Sequence, residues 1–278
     1  MHKDGKWAKQ LIGLQHPDGS WGRFHSLATH GNSPVTTEQA LRRLKILGYT
    51  YEDECIRRAV AYMNDCLCGR NAIPDPREKL HNWDIFTTLM LSARIREFTP
   101  DCLAANETAR QWAKVISHAL FGGKYNHAHY QEAYRETFGM LPRGGRLVDF
   151  TSFYQLSLLH GMLDARNENT LMEYVLSKPD GIYYICDQPL SRPPEFSGPD
   201  ACRYLSAIEL LTGYRHARGQ LDFVREWLES NRSEDGWDLG SRAKDGVYFP
   251  LSDDWRTRQR RIADCTERIS KLLLLLQA

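Results

Sequence analysis

Apolar residues in this chain recur at helical rather than strand spacing, and two kinds of helix alternate. Asp53 to Asp65, Asn106 to Leu120, Asn167 to Leu176 and Gly219 to Glu229 each join one apolar stripe to a charged face, which predicts helices exposed on one side. Pro34 to Leu47, Asn82 to Ile95, Asp149 to Leu163 and Asp200 to Leu211 are apolar on most faces, which predicts helices buried on more than one side. Alternation of the two suggests an outer ring of helices around an inner ring. The β-like fragments are short: Tyr183 to Cys186 and Val247 to Phe249.

Turn signals divide the helices into units. Leu14-Gln15-His16-Pro17-Asp18-Gly19-Ser20-Trp21-Gly22 follows the first amphipathic stretch, and Glu229-Ser230-Asn231-Arg232-Ser233-Glu234-Asp235-Gly236-Trp237 follows the last. Lys178-Pro179-Asp180-Gly181-Ile182-Tyr183 is a third copy with Tyr in place of Trp. Aligned on Gly19, Gly69, Gly123, Gly181 and Gly236, the units repeat at separations of 50, 54, 58 and 55 residues, about one long helical hairpin with its loops. Ser33-Pro34 reads as a cap and first-turn pair, and Gly48-Tyr49 and Gly213-Tyr214 read as helix stops. Gly122 to Leu147 exceeds an ordinary connection and holds a helical pattern at Tyr130 to Phe138, so residues 122 to 147 read as an insertion in a single domain spanning 1–278.

Composition narrows the function classes. With 278 residues and 42% hydrophobic content the chain can bury a substantial core, while 36 basic and 35 acidic residues leave a charge of +1. No global field is present to draw nucleic acid or anionic lipid. Residues 1 to 15 lack the apolar run of a secretory signal, and Leu272 to Leu276 is too short for a transmembrane segment. Seven cysteines, an odd and scattered set, fit reduced thiols in a cytoplasmic protein.

Gln15 with Trp21, and more loosely Asn231 with Trp237, resemble the QW motif of the terpenoid cyclase and protein prenyltransferase superfamily. The resemblance implies an all-α fold, an α/α toroid of about five to six helical hairpins. It also implies a central cavity for a small apolar, isoprenoid-type molecule, with the chemistry at the first turns of the inner helices. Glu38, Trp83, Asp149, Tyr154, Tyr204 and Trp255 are then candidate pocket residues. Asp200 and Cys202 resemble the zinc-binding Asp and Cys of prenyltransferases, although no His opens the next inner helix; the alternative is a capping Asp and a buried structural Cys. Asp253 and Asp254 resemble part of the Asp-x-Asp-Asp proton-donor motif of cyclases, with Leu251 at its first position; the alternative is a charged helix start with local ion pairs.

His81, Trp83 and Asp84 gather an imidazole, an aromatic face and a carboxylate, suited to a carbocation or to ordinary capping beside a core Trp. Cys66 with Cys68, and His127 with His129, lack a second nearby pair at metal-ligand spacing. Arg256, Arg258, Arg260 and Arg261 form a basic cluster that could meet a diphosphate or an acidic partner, but Asp253, Asp254, Asp264 and Glu267 largely offset it in the same segment, which favours a solvated or ion-paired face. Two function classes therefore stand: an enzyme acting on an apolar substrate, with zinc as the one cofactor suggested, or a non-catalytic toroid scaffold binding a small molecule, sugar or protein.

Overall fold

The computed structural model describes residues 2–25, 33–79, 82–144, 148–243, 251–252 and 255–277. The described chain is all-α, without a strand; isolated bridges pair Ser152 with Tyr183, Ile182 with Cys186 and Ser233 with Gly236. Among the described residues no helix is long and apolar enough to cross a membrane. Val247 to Phe249 lies outside the described residues.

The chain divides into two compact units. In the first, α1 (Lys6–Gly13) packs on α2 (Thr37–Ile46), and α3 (Glu54–Leu67) packs on α4 (Trp83–Arg96). The first residues of α5 (Leu103–Ala119) also belong to it. The second unit takes the remainder of α5, then α6 (His127–Phe138), α7 (Phe153–Leu158), α8 (Ala165–Ser177), α9 (Ala201–Leu211), α10 (Asp222–Ser230) and α11 (Arg258–Gln277). There α7 packs on α9, α10 on α11, and α8 on a short 3-10 turn, Arg215–Leu221.

Local chemistry sets the helix ends. The second helix begins later than Ser33-Pro34 suggests: Thr36 Oγ1 accepts from the Gln39 N–H, and Gln39 Oε1 accepts from the Thr36 N–H. This reciprocal capping box satisfies two otherwise orphaned donors, a stronger start signal than proline. The seventh helix ends at Leu158, short of Leu163, with Gly161 at φ +70° in the turn that follows. Gly48 at φ +93° closes α2 while the Tyr49 N–H reaches back to the Leu44 carbonyl at 3.0 Å, a Schellman-type stop.

Both Trp cassettes make the same two bonds. Trp21 Nε1 donates to the Leu11 carbonyl in the last turn of α1 at 2.7 Å, and its backbone N–H donates to Thr37 Oγ1 of α2 at 2.9 Å. Trp237 Nε1 donates to the Leu228 carbonyl in the last turn of α10 at 2.7 Å, and its N–H donates to Thr266 Oγ1 of α11 at 3.0 Å. Each indole is buried, so it packs the corner and satisfies a terminal helix carbonyl at once. Gln15 Nε2 bridges the Gly19 and Cys55 carbonyls and so reaches α3. The shorter Asn231 binds only the Trp227 carbonyl of its own helix. In the third cassette the Tyr183 N–H donates to the Thr151 carbonyl and its carbonyl accepts from the Phe153 N–H, both at 3.0 Å, while its ring lies against Tyr184.

Gly236 sits at φ +111°, and a Cβ there would collide with Thr266 Oγ1, the hydroxyl that receives the Trp237 N–H. Gly236→Ala should therefore cost about 1–3 kcal/mol in chemical denaturation. Gly219→Ala, whose Cβ meets nothing, is the control; equal midpoints for the two variants would show that the close approach is immaterial.

Candidate functional site

Glu38 and Arg94 lie on α2 and α4, helices with little exposed surface, and a lone charge in such a place requires a partner. Arg94 Nε and Nη2 both donate to Glu38 Oε1, at 2.9 and 2.7 Å, with side chains 2% and 0% exposed. Arg42 Nη2 stands 3.5 Å from the same oxygen. Arg94 Nη1 continues to Glu97 Oε2 at 2.5 Å, and Lys45 Nζ closes the row on Glu97 Oε1 at 2.9 Å. Burial pushes the Glu38 carboxyl up, but Arg94 and Arg42 outweigh it and hold the group well below the usual carboxylate range. Glu97, also raised by burial, is brought down to about 2 by Arg94 and Lys45. The row runs from Glu38, in the first turn of α2, to Lys45 in its last, and both acids are carboxylates at neutral pH.

The buried end of this row carries His25. Its N–H and that of Phe24 donate to the two oxygens of Asp75, and its ring meets Phe86 edge-on at 5.7 Å. Burial lowers the His25 imidazole, with the charges of Glu38, Glu78 and Asp75 acting the other way. The other end opens on a cavity of about 270 Å³ lined by Lys45, Gly48, Tyr49, Thr50, Tyr51, Glu97 and Phe98. Lys45 is half exposed there. One of its three ammonium hydrogens is on Glu97, and the others can serve a ligand.

The second unit holds a different cluster around Asp149, just ahead of α7. Its Oδ1 accepts from the Thr151 N–H and hydroxyl, and its Oδ2 accepts from Lys178 Nζ at 2.8 Å and the Tyr174 hydroxyl at 3.2 Å. Burial raises the Asp149 carboxyl, and the hydrogen bonds from Lys178 and Thr151 with the Lys178 charge bring it below its ordinary value. Tyr125 stacks on Tyr174 at 4.1 Å, its hydroxyl bonded to Tyr174 and to His127 Nδ1. Burial and the Asp149 charge hold both phenols protonated far above neutral pH.

The remaining sequence candidates are dispersed. Asp84 is largely in solvent, paired with Arg77 at 2.8 Å, while Trp83 leans on Phe86. Tyr154 is enclosed between Phe153 and Tyr184. Tyr204 is buried, its hydroxyl on the Leu190 carbonyl and its ring edge-on to Trp227. Trp255 Nε1 donates to Asp264 Oδ2 at 2.7 Å. Asp200 precedes α9 without a side-chain capping bond, and the buried Cys202 thiol donates to the Ala243 carbonyl at 2.7 Å. Among the described residues no three His, Cys, Asp or Glu side chains converge as a metal set. His81, Asp253 and Asp254 lie outside the described residues.

Sequence reasoning singled out Glu38 and Asp149 but missed their partners. Arg94 had a signal, a guanidinium in the midst of Leu91, Ala93 and Ile95 on a helix apolar on most faces. Lys178 opens the third turn cassette, where a lysine reads as ordinary loop polarity. No protein-family model, no curated protein and no solved structure matches this chain.

Proposed function

We propose that this protein is a binding scaffold, an α/α toroid of helical hairpins, that holds a small carboxylate with an apolar body beside Lys45. One observation carries the reading: Glu38–Arg94–Glu97–Lys45 is a paired, ionised row ending at a cavity with aromatic walls. The half-exposed Lys45 ammonium at the cavity offers an anion a cationic head. Tyr49, Tyr51 and Phe98 supply apolar wall. A proton-donating catalyst needs a carboxyl with a raised pKa, and Glu38, Glu97 and Asp149 are all held down. The like geometry of the Trp21 and Trp237 corners supports an array of equivalent hairpins, the architecture of a toroid.

Thermal unfolding with a panel of aryl and alkyl carboxylates tests the reading. At about a hundredfold excess over Kd a bound ligand adds about 2.7 kcal/mol to stability, and Lys45→Met should abolish the shift. A panel without effect on the wild type, or a shift that survives in Lys45→Met, removes this site. Turnover of an isoprenoid diphosphate, lost in Asp254→Asn, would replace binding by acid-catalysed cyclisation.

A further inference from the structure

Two thiols of the first unit converge on one atom. Cys68 caps the C-terminus of α3, and Cys102 immediately precedes α5. Both donate to Asn64 Oδ1, Cys68 Sγ at 3.6 Å and Cys102 Sγ at 3.3 Å. Their sulfurs thus lie no further apart than these two contacts laid end to end. Cys68 is exposed and Cys102 is partly so. The Arg70 guanidinium, itself on Asp65, also hydrogen-bonds the Cys68 thiol.

Cys66 is the competing partner, and its surroundings set it apart. It is half buried, burial raises its thiol, and it is hydrogen-bonded to Tyr62. Residues two apart on a helix do not face each other, so Cys66 and Cys68 project differently. An exposed thiol beside a cation, with a second thiol at hand, is the arrangement of an oxidisable cysteine and its resolving partner.

We propose that Cys68 and Cys102 form a redox-sensitive pair that hydroperoxides convert to a disulfide joining the end of α3 to the start of α5. The Cys68 thiolate attacks one peroxide oxygen; the O–O bond breaks, and the leaving hydroxide takes a proton to give water and a Cys68 sulfenic acid. The Cys102 sulfur then attacks the Cys68 sulfur. The S–O bond breaks, a second water leaves with the Cys102 proton, and the S–S bond forms. Two thiols are oxidised by two electrons in total, and one hydrogen peroxide is reduced to two waters.

Peptide mass spectrometry of the full chain, treated with stoichiometric hydrogen peroxide and digested without reductant, decides the matter. A peptide pair linked through Cys68 and Cys102, lighter by two hydrogens and separated by dithiothreitol, is expected. Cys66→Ser should retain the link. Cys102→Ser should lose it and leave Cys68 open to dimedone, a trap for sulfenic acid. A Cys66–Cys68 link, free alkylatable thiols at both positions after treatment, or no dimedone adduct on Cys68 in Cys102→Ser would each overturn the assignment.

Discussion

Arg94→Met is expected to destabilise the first unit by about 3–5 kcal/mol, because it leaves the enclosed Glu38 carboxylate without its main counter-charge. Methionine retains most of the apolar stem, so the loss reports charge rather than volume. Glu38→Gln should cost less, since Arg94 retains Glu97. The double variant should be less damaged than the sum of the singles, with a coupling of about 0.5–3 kcal/mol in urea titrations. An Arg94→Met cost below about 1 kcal/mol would show the row to be dispensable.

The same variant has a signature in pH. Glu38 and Glu97 fold with their carboxyls below the ordinary value of 4.5, Glu97 at about 2. A group depressed by folding stabilises above its unfolded pKa, and that stabilisation disappears as pH falls toward the folded pKa. The wild type should therefore lose urea resistance steeply between pH 4.5 and about pH 2. Arg94→Met, already without most of this contribution, should show a shallower acid limb. Parallel limbs would mean that other carboxylates carry the acid sensitivity.

How much of this was legible in the sequence depends on the range of the interaction. Helix positions were, since amphipathic periodicity is local: Asp53 to Asp65 became Glu54–Leu67, and Asp200 to Leu211 became Ala201–Leu211. Ends set by side-chain reach were less so. The Thr36 capping box displaced the start expected at Ser33, and α7 stopped before Gly161. Glu38 and Asp149 stood out as acids at buried helix starts, but burial alone does not tell a proton donor from half of an ion pair. That distinction rests on Arg94, 56 positions from Glu38, and Lys178, 29 from Asp149, separations that no local pattern encodes. Tyr154 and Tyr204 illustrate the same limit. An aromatic residue on a buried helix reads alike whether it lines a cavity or, as both do here, packs into the core.

The turn cassettes yield the second large effect. Trp21→Ala and Trp237→Ala should each cost about 3–5 kcal/mol, the range for emptying a buried aromatic site. Phenylalanine at either place restores much of the volume but cannot donate to Leu11 or Leu228, and each carbonyl keeps only its longer bond, from the Leu14 or the Asn231 N–H at 3.2 Å. Trp21→Phe and Trp237→Phe should therefore each cost about 0.5–1.5 kcal/mol by denaturant titration, the net worth of one hydrogen bond. If the two corners are equivalent parts of one repeat, their Phe and Ala costs should match in pairs, although one corner ties α1 to α2 and the other α10 to α11. A Phe variant as stable as wild type would reduce the cassette to packing alone. A large cost at Trp21 with none at Trp237 would separate the two copies, and the Gln15 bridge to Cys55, which Asn231 is too short to reproduce, would then be the physical difference to examine by Gln15→Ala.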